Sequence, residues 1–202
     1  MPTGTSHKPA AATTCPANGA TIDFEVKRMN QVKKFLKEWV PSLAIAIIIA
    51  FLLNTYVAEA VKVPSGSMLP TIQLGDRFIV EKLVHWTDFH FGDIVVFYPP
   101  LPDQKDERFI KRLIGLPGDT IQIKDGALYR NGKKVDEPYI EQPMNYSYGP
   151  ITVPPGKYFF LGDNRNESLD SHLWPTTPFV DRSKIVGKVI LRIFPFSSIK
   201  VY

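Results

Sequence analysis

Val40 to Ala58 form an apolar run whose core, Leu43-Ala-Ile-Ala-Ile-Ile-Ile-Ala-Phe-Leu-Leu53, carries no charge, and the next charge is Glu59. No other feature constrains the fold as strongly. A helix over this run spans about 28 Å at ~1.5 Å per residue, close to the hydrocarbon thickness of a bilayer. The run therefore predicts a single transmembrane helix over residues 40–58. Pro41 suits the first turn of such a helix. Trp39 and Tyr56 lie at its two ends, where aromatic residues favour the membrane interface. Two other readings compete. One is a buried core helix, against which the length and uniform apolarity argue. The other is a cleaved secretory signal ending at Ala58-Glu59-Ala60, an A-x-A-like site, against which the long apolar core and long preceding region argue.

Lys27, Arg28, Lys33, Lys34 and Lys37 closely precede the run. The positive-inside tendency then puts the N-terminus in the cytoplasm and residues 60–202 outside. The predicted organisation is a cytoplasmic tail (1–39), a membrane helix (40–58) and an extracytoplasmic domain (59–202). Within the tail, residues 1–21 are rich in Ala, Thr, Pro and Gly and read as disordered. Residues 22–39 mix charged and apolar side chains and read as the start of a helix. The net charge of +4 is uneven: residues 1–40 hold six of the 24 bases and three of the 20 acids. The rest is nearly balanced, which excludes a nucleic-acid-binding domain, since that needs a basic patch of its own. Cys15 is the single cysteine, so no intramolecular disulfide or cysteine-based metal site is expected.

After residue 60 the pattern changes to short apolar runs separated by turn signals. Asp76–Val80, Asp93–Tyr98, Phe109–Ile114, Thr120–Ile123, Lys157–Leu161 and Lys184–Phe194 read as strands. Asn131-Gly132 between Ala127–Arg130 and Lys133–Val135 predicts a hairpin, and Val153-Pro-Pro-Gly156 a further turn. Many of the 18 prolines fall here, where they suit turns and strand edges. The predicted fold is mainly β, an antiparallel sheet domain after the anchor.

Pro64-Ser-Gly-Ser-Met-Leu-Pro-Thr71 follows the anchor directly. Read plainly it is a Ser/Gly/Pro loop, but one placed to act on a membrane-inserted chain. A serine becomes a nucleophile only beside a base. Lys111 lies in the apolar run Phe109-Ile-Lys-Arg-Leu-Ile114, and alternation puts it on one strand face with Phe109 and Leu113. Burial there disfavours the ammonium and lowers the lysine pKa, giving an amine able to take a proton. The alternative is a lysine that snorkels from a sheet edge.

Four segments, Pro64–Thr71, Gly92-Asp-Ile-Val-Val-Phe97, Lys111-Arg-Leu-Ile-Gly-Leu-Pro-Gly-Asp119 and Gly162-Asp-Asn-Arg-Asn-Glu-Ser-Leu-Asp-Ser171, resemble in order the boxes of bacterial type I signal peptidases. The resemblance covers residues 40–202. It implies a mostly β serine–lysine peptidase of the cytoplasmic membrane that needs no metal or cofactor and cleaves signal peptides from exported preproteins after small-x-small sites. It implies Ser67 as nucleophile and Lys111 as general base. Ser65 would help form the oxyanion hole, Ser168 would hydrogen-bond the lysine amine, and Asp170 would support the site. Val63, Pro64, Met68, Ile72, Phe78, Val96 and Ile110 would line the substrate pockets. The implied partners are signal peptides, the lipid bilayer and the protein export machinery.

One departure stands out: His172 occupies a place where the family often has arginine, and histidine lacks arginine's bidentate fork. It also raises a Ser–His pair as a rival. A membrane-tethered non-catalytic β domain is the alternative outside enzymology. Val84–Phe91 is an aromatic-rich loop that reads either as membrane-interface contact or as core around a hairpin.

Overall fold

The computed structural model describes residues 19–202, so Cys15 and residues 1–18 of the expected disordered tail lie outside the described residues. The chain divides into two units, Met1–Ala50 and Phe51–Tyr202. Helix α1 covers Gly19–Leu52. One π-type turn, Leu53–Val57, continues it until Ala58 turns to extended backbone. Leu43, Ile45, Ile47, Ile48 and Ile49 are all exposed. The segment Lys27–Val57 is long and apolar enough to cross a membrane, and none of its apolar window is buried. A water-soluble core helix would bury such a face, so that reading does not fit.

Two expectations about this helix are corrected. Pro41 lies inside α1 rather than in its first turn, and Gly19–Thr21 are helical rather than tail. The reason is propagation. Residues 22–39 are dense in helix formers such as Glu25, Lys27, Lys33, Leu36 and Lys37. Extending a helix through them gains one hydrogen bond per residue fixed, so the bond lost at one proline does not end it.

The second unit is built from twelve strands: β1 Ala58–Lys62, β2 Arg77–Glu81, β3 Ile94–Phe97, β4 Phe109–Gly115, β5 Thr120–Lys124, β6 Ala127–Arg130, β7 Lys133–Lys134, β8 Tyr148–Thr152, β9 Lys157–Leu161, β10 Val180–Asp181, β11 Ile185–Phe194 and β12 Lys200–Val201. The larger sheet runs β1-β2-β11-β3-β4-β9-β10, with β12 on β11, and the smaller runs β7-β6-β5-β8. Their pairings are antiparallel, as expected. Asn131 and Gly132 both take positive φ, 54° and 77°, the mirror-image turn that matches the strand twist. Asp125 and Gly126 repeat the device between β5 and β6.

Four strands were not read from the pattern. β1 lies where the apolar run was expected to end, and it departs from helix because β2 offers it a partner at every position from Ala58 to Lys62. β8 contains Gly149 and Pro150, and β10 and β12 are two residues each, too short for a periodicity.

Position in the sheet explains the run of β4. It is flanked by β3 and β9, and all its residues after Phe109 are buried. Phe109 and Leu113 pack in a cluster with Phe97, Phe160 and Trp174. Ile110 joins Val63, Met68, Ile72, Phe78 and Val96 in a second cluster. The aromatic loop divides. Phe89 is buried and meets the Tyr158 ring edge-on at 5.6 Å, whereas Trp86 is 82% exposed.

Candidate active site

The Pro64–Thr71 segment is a tightly closed loop between β1 and β2. Val63 N–H donates to Asp76 O at 2.9 Å and Gly75 N–H to Val63 O at 3.0 Å, which ties the loop's two ends together. Met68 and Ile72 are fully buried and pin its middle. The carboxylate of Asp76 accepts Gln73 N–H at 3.0 Å and Arg192 Nη1 at 3.1 Å. Ser67 is thereby held on a rigid loop.

Lys111 projects from the middle of β4. Its Nζ lies 2.5 Å from Ser67 Oγ and 5.3 Å from the centroid of the Phe109 ring. The side chain is buried, 3% exposed, so the snorkelling alternative does not hold. Burial pushes its pKa down to about 8, against the opposing charges of Asp170 and Asp163. Taking the lysine out of water is the larger effect because no carboxylate contacts the amine directly in compensation. Ser65 Oγ stands 3.3 Å from Ser67 Oγ.

The remaining expected residues sit on the Gly162–Ser171 segment behind Ser67. Asn164 N–H donates to the Ser67 carbonyl at 3.1 Å. A Cβ on Gly162 would come within 2.6 Å of Ser168 Cβ and would collide with the Ser67 carbonyl oxygen. Glycine there is a requirement of close approach. Ser168 Oγ is buried and has no hydrogen-bond partner among the described residues. Its expected bond to the lysine amine is not formed in this structure, where the amine bonds Ser67 Oγ.

Asp170 is fully buried. It accepts Gly162 N–H at 2.9 Å through Oδ2, while Oδ1 faces His172 N at 3.3 Å and His172 Nδ1 at 2.6 Å. Where the family often has arginine, a ring nitrogen and a backbone N–H of His172 both meet Asp170 Oδ1. The imidazole stacks on Tyr146, centroids 4.0 Å apart and planes 2° apart. His172 is committed to Asp170 and Tyr146, and the partner of Ser67 is Lys111.

Several supporting side chains were missed from the sequence. Arg112, on the face opposite Lys111, forms a bidentate pair with buried Asp163 at 2.8 and 2.6 Å and lies 3.8 Å over the Tyr139 ring. Arg165, fully buried, forks onto Glu137 at 2.8 and 2.6 Å and donates to Gly162 O at 3.0 Å. A signal existed for Arg112, since a charge between Ile110 and Ile114 in a central strand demands a partner. Glu137 offered none, because Asp136-Glu-Pro138 reads as an ordinary turn.

A groove of about 580 Å³ opens over the Ser67–Lys111 pair. Val63, Pro64, Met68 and Ile110 line it, together with Leu69, Phe109 and Leu169. Ile72, Phe78 and Val96 do not reach its surface. They are fully buried in the cluster that backs Val63, Met68 and Ile110.

The chain as a whole is similar to known proteins. The chain is 43% identical over 170 residues to the "Probable signal peptidase I-1" of a Synechocystis strain, covering 81% of this chain and 85% of that one. It is 46% identical over 158 residues to the "Probable signal peptidase I-2" of the same organism, covering 76% and 71%. With the "Signal peptidase I" of Bacillus licheniformis it shares 40% identity over 187 residues, 87% of this chain and 97% of the relative. The family described as "Signal peptidase, peptidase S26" matches residues 36–194, which include the apolar helix, the Ser67 loop and Lys111. A family match over residues 36–194, together with relatives 40–46% identical over most of this chain, makes it a serine peptidase of the signal peptidase family S26.

Proposed function

We propose that this membrane-anchored peptidase removes signal peptides from exported preproteins, with Ser67 as nucleophile and neutral Lys111 as general base. One observation carries the reading: the buried Lys111 amine lies 2.5 Å from Ser67 Oγ in the floor of the groove. Lys111 takes the hydroxyl proton as Ser67 Oγ attacks the scissile carbonyl. Ser65 Oγ and the Ser67 backbone N–H face the developing oxyanion, where one such donor is worth about 2.7–4 kcal/mol. The lysine then gives its proton to the leaving amine nitrogen, and the C–N bond breaks to leave an acyl-enzyme. Water, deprotonated by the same amine, then attacks the ester carbonyl, the acyl C–O bond breaks, and the lysine returns the proton to Ser67 Oγ as the acid product leaves.

Asp170 supports this cycle by holding Gly162 against Ser168, and Asn164 does so by holding the Ser67 carbonyl. The groove walls Val63, Pro64, Met68 and Ile110 suit small side chains at −1 and −3, with Ile72, Phe78 and Val96 giving the walls their stiffness. A bound chain would lie extended along the groove, in the manner of an added strand. Residues 1–39 form the cytoplasmic segment in this reading, residues 40–58 the membrane span of the cytoplasmic membrane, and residues 59–202 the catalytic part outside. The export machinery that delivers the preproteins is the natural neighbour.

The test is cleavage of a preprotein by the detergent-solubilised chain. Cleavage is expected after a small-x-small site. Ser67→Ala and Lys111→Ala should each lower it by about 10³-fold or more with far-UV circular dichroism unchanged. Near-normal cleavage by either variant would sink the mechanism.

A further inference from the structure

A second groove, of about 360 Å³, adjoins the first and shares Leu69, Asn164 and Glu167 with it. Its walls are Leu69–Pro70 on one side, and Glu141 and Gln142 with the Asp163–Glu167 segment on the other. The two walls differ from those of the first groove, which takes its apolar lining from Val63, Met68, Phe109 and Ile110. The second is polar.

Its outer wall is built rather than loose. Glu141 and Gln142 belong to the long connection between β7 and β8. That connection is tied to the Ser67-supporting segment by the Arg165–Glu137 fork. Asn166 adds two bonds, its Nδ2 donating to Pro143 O at 3.1 Å and its Oδ1 accepting Asn145 N–H at 3.0 Å. The groove therefore exists before anything binds, which spares the ordering cost of forming it.

An endopeptidase holds chain on both sides of the bond it cuts. With the residues before the bond in the apolar groove, the polar groove, which shares Leu69 with it, is the adjoining space for the chain beyond Ser67. Charge then decides what is welcome there. Arg165 is paired with Glu137, and Asp163 with Arg112. Glu141 and Glu167 form no ion pair among the described residues, and both are exposed. The lining charges left outside ion pairs among the described residues are both carboxylates.

We propose that this second groove receives the first residues C-terminal to the scissile bond, and that Glu141 and Glu167 set its selectivity, favouring basic over acidic residues there. The proposal rests on the peptidase reading given above. Because both carboxylates are exposed, water and salt screen them. The selectivity expected is about two- to fivefold at low ionic strength, the scale of exposed charge interactions, and it should shrink as salt is added.

The experiment uses the full chain in detergent and three peptides identical through residue −1, differing only in carrying Lys, Gln or Glu at +2 and +3. The ratio of kcat/KM for the Lys peptide to that for the Glu peptide should exceed unity in the wild type. It should fall to about one in the double variant Glu141→Gln/Glu167→Gln and drop further in Glu141→Lys. A wild-type ratio of one, or a ratio that neither variant moves, overturns the inference while leaving the peptidase reading intact. Failure of the wild-type chain to cleave the Gln peptide in a Ser67-dependent way overturns both.

Discussion

At the scale of single residues, Lys111 is where the fold and the chemistry conflict. Placing an amine in the middle of a central strand costs stability as long as it stays charged, and that same cost makes it a base near neutral pH. With its pKa lowered to about 8, about a tenth of the molecules carry the neutral amine at pH 7. The sign follows directly. Cleavage should rise with pH through an alkaline limb near pH 8 and level off above it, as Lys111 loses its proton. Asp170 opposes the shift by favouring the ammonium. Asp170→Asn removes that charge, so its limb should move to lower pH. A pH profile of kcat/KM checks both statements, and a limb that stays in place in the variant removes Asp170 from the electrostatics of the base.

At the scale of elements, the site is a joint between three pieces of chain: the loop after β1, strand β4 and the segment after β9. The joint is stiffened by buried ion pairs, and the Arg165–Glu137 fork carries the load between the β7–β8 connection and Gly162. Glu137→Ala leaves a guanidinium buried without its partner. Removing one member of a buried pair typically costs about 3–5 kcal/mol. Chemical denaturation should show a loss on that scale, with cleavage falling in parallel even though Glu137 touches neither Ser67 nor Lys111. Such residues show how far the site could be read from the chain. Ser67 and Lys111 stood out locally only as a loop serine beside an apolar run and a lysine in an apolar strand, and their roles were expected from the resemblance of the four ordered segments. Glu137 was not legible, because its meaning depends on Arg165, 28 residues away. Ser168 was expected from the resemblance alone, and its buried hydroxyl has no partner among the described residues. The burial of β4 was likewise settled by its neighbours: β3 and β9 pair its two edges, and the side chains packed around Ile110 and Leu113 cover its faces.

At the scale of the whole molecule, the chain joins an apolar helical run to a β unit, and in the proposed reading the charges that precede the run orient it. Lys27, Arg28, Lys33, Lys34 and Lys37 should hold the N-terminus in the cytoplasm. Protease added outside cells whose outer layers have been opened should then degrade residues 60–202 and spare the N-terminal segment. Protection of residues 60–202 would reverse the orientation.

The sequence alone determined what depends on local chemistry. An uncharged run of this length has one low-energy environment, Asn131-Gly132 has one favoured turn, and alternating apolar residues between prolines make strands rather than helices. Tertiary structure alone decided the rest. The fate of Ala58–Lys62 depended on β2 as a partner, and that of His172 on Asp170 and Tyr146. A hydrogen bond, an ion pair or a lowered pKa belongs to a pair of groups, and residues far apart in the chain become pairs only when the chain has folded.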